Sequence, residues 1–278
     1  MAAKVSSGNA AANPAGPVFP EGRRYNRCAM TQNDSPLFRA LDGLYEPSAI
    51  QQLADGRFLV LEDEKTHPFS LLTIGSDGAV TGSPVRQKPQ DLPKLNDLEG
   101  IALNQSGHIY AITSHSRDSD GEEKASRERL LRFRIEADRV VAPKVSNALK
   151  PALLAAHPVL AAAAEIRDVK AGGGLNIEAL DLSPDAQRLL IGFRSPLLGK
   201  RALVACVENP AAIFDSGEAP RISARLETLD LGGNGIRGMS WFPCLDGYLL
   251  IGGPVAREPV QFQLWFWSGR PGAPARRV

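Results

Sequence analysis

From about residue 45 onward, apolar residues fall in short runs divided by Gly, Asp and Pro turns, and four stretches follow one plan. The first runs from Glu46 to Ile50, turns at Ala54-Asp55-Gly56 and continues from Arg57 to Glu62. The second runs from Leu98 to Ala102, turns at Gln105-Ser106-Gly107 and continues from His108 to Ser114. The third runs from Ile177 to Asp181, turns at Ser183-Pro184-Asp185 and continues from Arg188 to Phe193. The fourth runs from Ile236 to Ser240, turns at Leu245-Asp246-Gly247 and continues from Tyr248 to Gly252. A third strand follows each: Phe69 to Ile74, Leu130 to Ile135, Ala202 to Val207 and Phe262 to Trp267. Strands that are apolar on both alternating faces are buried on both sides. Glu46, Glu99, Glu178 and Arg237 hold equal places in this plan, at intervals of 53, 79 and 59 residues. Antiparallel strand sets repeating at such intervals predict an all-β fold, a β-propeller with about four recognisable blades, five or six if complete. One domain, residues 35–278, would hold it.

The long second interval contains an insertion, Ser146 to Val169, rich in Ala and Leu. A helix is predicted over Val159 to Ile166, with Pro151 and Pro158 limiting it upstream. The fourth repeat stops after its third strand, and Gly269 to Val278 is rich in Pro, Gly and Arg. Pro36 to Leu41 is expected to add an outer strand to the last blade; the alternative is a chain one repeat short. Residues 1–34 read as a disordered tail, because Ala, Gly, Asn, Ser and Pro bury little surface.

Composition narrows the partners. Thirty-two basic and 31 acidic residues leave a net charge of +1, which argues against nucleic acid held through bulk charge. No run of 18 apolar residues predicts a membrane span. Cys28, Cys206 and Cys244 are too far apart for a zinc motif or a disulfide framework. No apolar stretch follows the basic residues 22–27, so the expected location is cytoplasmic as written, and periplasmic or secreted if a leader is missing.

Several of these segments also match a known family. They are Tyr45-Glu-Pro-Ser-Ala49, Leu61-Glu-Asp-Glu64, Asp97-Leu-Glu-Gly100, Thr113-Ser-His-Ser116 and Arg127-Glu-Arg-Leu-Leu-Arg132. Gly174-Leu-Asn-Ile-Glu178, the stretch Leu190 to Pro196, Ala202 to Pro210, Leu229 to Arg237 and Leu250-Ile-Gly-Gly-Pro254 complete the series. In this order they resemble the bacterial proteins grouped as domain-of-unknown-function family 3616. The resemblance implies a β-propeller, with more distant similarity to esterase-like phytase and lactonase-type propellers, and it brings no assigned reaction. It also implies one further repeat, which this chain ends before.

In a propeller the first strand of each blade lines the central channel, so residues at the strand starts converge. Glu46, Glu99 and Glu178 are therefore the candidate metal ligands, with calcium the natural partner for carboxylate oxygens. Arg237 at the fourth place is either part of an anion clamp or an internal counter-ion. The second-strand ends carry Asp63, Ser114-His115 and Arg194, which form a separate cluster on this reading. Asp63 or His115 would serve as general base, and Arg194 with Arg237 would clamp an anion. Ser114 and His115 are strand neighbours and point to opposite faces, and no Gly-x-Ser-x-Gly elbow is present. No strand–loop–helix context supports a nucleotide cofactor.

Two functions follow. One is a calcium-dependent hydrolase of an ester, lactone or phosphoester. The other is a non-catalytic propeller that binds a protein or small-molecule ligand at its channel.

Overall fold

The computed structural model describes residues 44–63, 68–77, 79–87, 92–169, 173–256 and 261–278. They belong to one compact unit, residues 36–278. The tail over residues 1–34 and the strand expected from Pro36 to Leu41 lie outside the described residues.

The described chain forms four four-stranded antiparallel sheets, each from consecutive strands, and so builds the expected β-propeller. The first blade is β1 (Pro47–Gln52), β2 (Phe58–Glu62), β3 (Phe69–Ile74) and β4 (Val80–Gln87). The second is β5 (Leu98–Leu103), β6 (Ile109–Thr113), β7 (Leu130–Glu136) and β8 (Arg139–Ser146). The third is β9 (Asn176–Leu182), β10 (Leu189–Ser195), β11 (Ala202–Val207) and β12 (Glu227–Leu229). The fourth is β13 (Gly235–Phe242), β14 (Gly247–Gly253), β15 (Gln263–Trp267) and β16 (Arg276–Arg277). The first strands pack side by side in the order β1, β5, β9, β13 and form the inner wall.

Alternation along single strands explains the packing. Ile109 and Ala111 face the core between blades one and two, while Tyr110 and Ile112 face the core between blades two and three. Likewise Leu203 and Ala205 face blade two, and Ala202 and Val204 face blade four. Two-sided burial of the middle strands is thus the blade–blade interface itself. Trp267, 1% exposed, fills the core between blades three and four and stacks on Tyr248. The far face of blade four is exposed at the cross-strand neighbours Ile251 and Leu264.

Three elements differ from the sequence expectation. The fourth repeat does not stop at its third strand: β16 from Arg276–Arg277 pairs with β15 as an outer strand. Among the described residues the insertion forms helices α1 (Leu149–Ala156) and α2 (Pro158–Ala164). Pro151 falls in the first turn of α1, where a missing N–H leaves no intrahelical bond unmade, so it does not exclude that helix. A third short helix, α3 (Pro210–Asp215), starts on a proline and packs Ile213 and Phe214 against the same core.

Candidate functional site

Every blade carries the same irregularity at the same place. In blade two Leu98 pairs with Thr113 and Gly100 with Ile112, so Glu99 is an extra residue bulged out of the ladder. Glu178 is bulged between Ile177 and Ala179 in blade three, and Arg237 between Ile236 and Gly238 in blade four. A β-bulge re-aims one side chain and sharpens the local twist. In blade one the residue so placed is Ser48, between Pro47 and Ala49. Glu46 therefore does not hold the position equal to Glu99, Glu178 and Arg237. It precedes β1, is exposed, and has a positive φ of 43°.

Antiparallel pairing then joins what the sequence separates into two clusters. The start of each first strand lies against the end of its second strand, as Asn176 does against Ser195. Arg194, near the end of β10, accordingly reaches Glu178 at the start of β9: its Nη1 lies 3.1 Å from Oε1. Arg237 Nε approaches the other oxygen, Oε2, at 2.6 Å. Asn176 Nδ2 also donates to Oε1, at 3.2 Å. Burial pushes the Glu178 carboxyl up, against the pull of Arg237 and Arg194. Arg194 is further held by the backbone, its Nε donating to Val255 O at 3.0 Å.

Around this pair lies a second set of acids. Burial raises Glu99 well above the usual carboxylate range, and the charges of Asp97 and Glu178 add to that rise. Burial also raises Asp63. Asp63 Oδ1 accepts from Asp97 N at 2.7 Å, a bond that ties blade one to blade two. Asp97 in turn pairs with Arg127 from the long β6–β7 loop. Arg127 also donates to Ser116 Oγ at 2.8 Å.

These residues line a polar cavity of about 1180 Å³ at this end of the inner wall. Asp63, Glu99, Glu178, Arg194 and Arg237 meet there; Glu46 and His115 do not line it. His115 is 1% exposed, bonds Thr113 O through Nδ1 at 2.8 Å, and is held neutral by burial, its pKa pulled down to about 4. It is a core histidine, set apart from the cavity. Sequence reasoning missed Asp97, Asn96, Asn176 and the β6–β7 loop residues Ser116 to Arg127. Asp97, Asn176 and Arg127 stand inside the family-like motifs, but only folding brings them to one wall.

The structure does not bring the three glutamates together: Glu99 and Glu178 line the cavity and Glu46 does not. Glu46 stands outside the bulge series; Glu178 Oε1 accepts from Asn176 and Arg194, and Oε2 is ion-paired with Arg237. Among the described residues, no group of three His, Cys, Asp or Glu side chains is placed to hold a metal ion.

One buried acid beneath the site gives a direct pH prediction. Both oxygens of Asp181 accept backbone N–H groups, from Leu182 at 2.7 Å and Trp241 at 2.5 Å, yet burial pushes its pKa up to about 7. A carboxyl raised in the folded state stabilises fully below its unfolded pKa and loses that contribution as pH rises through the folded value. Relative to wild type, Asp181→Asn is therefore expected to gain stability between about pH 4 and about pH 7. Paired melting curves across that range check this. A constant offset between the two proteins would show that Asp181 does not titrate there.

The fold and the site define a β-propeller with a charged axial cavity and two guanidinium groups sharing one carboxylate. No family model matches the chain, and no curated protein matches it. Solved structures resemble the chain at low identity. The chain superposes on hydrazine synthase from Kuenenia stuttgartiensis with 11% identity and a TM-score of 0.40, covering 88% of this chain and 53% of that one. For the PQQ domain of pyranose dehydrogenase from Coprinopsis cinerea the identity is 11% and the TM-score 0.45, covering 84% and 54%. For a putative oxidoreductase (glucose dehydrogenase) from Thermus thermophilus they are 15% and 0.38, covering 85% and 84%. The chain thus spans about half the length of the first two. A likeness at this level says nothing about chemistry. Among the described residues no helix is long and apolar enough to cross a membrane.

Proposed function

We propose that the protein is a binding propeller whose axial cavity takes a small anionic ligand, a carboxylate or a phosphoester, with Arg237 as its anchor. The likeness to domain-of-unknown-function family 3616 is part of this proposal and supplies no reaction for it.

The observation that carries the reading is the asymmetry between the two arginines on Glu178. Arg194 spends its nitrogens on Glu178, Val255 O and Ala256 O, so it fixes the carboxylate in place. Arg237 approaches Glu178 most closely through Nε and lies over the Phe262 ring at 5.8 Å. Among the described residues its two Nη groups make no hydrogen bond. A guanidinium fork with spare, preoriented donors on a cavity wall is suited to a planar anion. Charge supports this. Acidic and basic side chains line the cavity in equal number, so the local surplus of positive charge is at Glu178 rather than over the whole wall. Two guanidinium groups then share the one carboxylate of Glu178, leaving a positive charge that an anion neutralises. A calcium-assisted hydrolase, the other chemistry suggested by the sequence, would need a ligand set that the described residues do not assemble.

Calorimetric titration with succinate and with inorganic phosphate tests the proposal. Wild type is expected to bind at least one of them, and Arg237→Met to bind it at least about tenfold more weakly while retaining its fold by circular dichroism. A folded wild type that takes up neither anion would end this reading.

A further inference from the structure

One acid on the cavity wall stands apart from the rest. Glu99 is bulged out of the β5–β6 ladder, lines the cavity and is partly exposed there. Among the described residues its carboxyl makes no hydrogen bond and no ion pair. Its acidic neighbours are all engaged. Glu178 is held by Arg194, Arg237 and Asn176, Asp97 pairs with Arg127, and Asp63 accepts from Asp97 N.

The groups that face Glu99 are mostly of its own sign. Its strand β5 packs against β1 and β2 of blade one, β6 of its own blade and β9 of blade three. Neither β1 nor β6 carries a charged residue. Strand β2 ends on Glu62, which accepts from Tyr45 N and Ser70 Oγ, and Asp63 follows it. Strand β9 carries Glu178 and Asp181, the latter bonded to Leu182 N and Trp241 N. Asp97 precedes β5 itself. The charges of Asp97, Glu178 and Asp63 act on Glu99 against that of Arg237, which is already set on Glu178. Ionised, Glu99 is one more acceptor among acceptors; neutral, it brings a hydrogen that a carboxylate or a ligand oxygen can accept.

An anion in the cavity sharpens this conflict. It adds negative charge beside Asp97 and Glu178, and it draws on the guanidinium that opposes them. Protonating Glu99 removes one negative charge from the same space. We propose that the cavity takes up its anion together with a proton, and that Glu99 holds the proton. This rests on the anion-binding reading above and adds regulation by pH to it. The coupling acts through charge within one cavity and needs no contact between Glu99 and the anion. Binding therefore tightens as pH falls, where Glu99 is already neutral, and weakens as pH rises.

Calorimetric titration with succinate and with inorganic phosphate, repeated in two buffers of different ionisation heat, counts the protons taken up. Glu99→Gln keeps the shape of the neutral acid and cannot ionise. Any titration of the ligand itself is common to both proteins and cancels between them. From about pH 5 to about pH 9, wild type is expected to lose about tenfold in affinity relative to Glu99→Gln. It should also take up as much as about one proton more per anion. A wild type that binds with no uptake beyond the ligand's own overturns the proposal, whatever the variant does, and leaves anion binding standing. Equal uptake by wild type and a Glu99→Gln variant folded by circular dichroism overturns the assignment to Glu99. Failure of wild type to bind either anion overturns the anion reading and this proposal together.

Discussion

Glu178→Ala is expected to destabilise the protein by about 3–5 kcal/mol, because removing one partner of a buried ion pair leaves the other charge buried and uncompensated. Here one carboxylate serves two cations. Its side chain is 8% exposed, against 13% for Arg194 and 22% for Arg237, so solvent cannot replace it. The two guanidinium groups would then face each other across the space the carboxylate filled. Asn176 would lose its acceptor as well. In a domain of this size the loss corresponds to a melting temperature lower by roughly 10 °C. Glu178→Gln keeps the shape and one acceptor oxygen and should fall between the two. Thermal denaturation followed by circular dichroism reads both. A drop of less than about 1 kcal/mol for the alanine variant would mean that the arginines find other partners, and that Glu178 does not organise the site.

Gly235→Ala is the second large effect, and its cause is purely steric. A Cβ on Gly235 would lie 1.9 Å from the carbonyl oxygen of Arg194 and 2.6 Å from its carbon. Both obstacles are backbone, so no rotamer change relieves them. Blades three and four would have to move apart at the point where Arg194 and Arg237 converge. A cost of about 4 kcal/mol or more is expected, with loss of anion binding in whatever fraction still folds. Gly56→Ala is the control. Gly56 also sits in a turn, with a φ of 90°, but nothing lies within 4 Å of its would-be Cβ. That substitution meets only backbone strain, about 1 kcal/mol. If the two variants melt together, close approach at Gly235 is not what sets the spacing of these blades.

The contrast between those two glycines shows where the sequence was legible. Gly56 is readable as a turn because it follows Asp55 between two apolar runs. Gly235 reads as part of the same kind of turn, in Gly232-Gly233-Asn234-Gly235. Its tight contact is with a residue 41 positions earlier in the chain, which no local pattern carries. The strands divide along the same line. Three strands of each blade follow from their apolar runs, which in blades two and three are buried against a neighbouring blade on both sides. The outer strands do not. β4 and β8 contain Pro84 and Pro143, β12 has three residues, and β16 is Arg276–Arg277. Edge strands bond on one side only, so proline and charge are tolerated and no apolar alternation is needed.

The candidate site divides in the same way. Glu99, Glu178, Arg194, Arg237 and Asp63 were visible as charged residues interrupting apolar runs at repeated places. Glu46 looked equivalent because it, too, is a glutamate just ahead of an apolar strand. The strand register gives its place to Ser48 instead. His115 looked available because histidine is so often a base, but the segment after β6 carries it into the core.

By itself, then, the sequence determined the repeating three-strand unit and hence the propeller, because burial on two faces leaves a pattern within each short segment. It also determined which charged residues stand at the strand starts and ends. Tertiary structure alone decided that these two groups are one site, that Glu178 is shared by two arginines, and that Glu99 shares their cavity. Those are relations of register and of blade-to-blade distance. They arise from hydrogen bonds and contacts between residues far apart in the chain, which local composition does not encode.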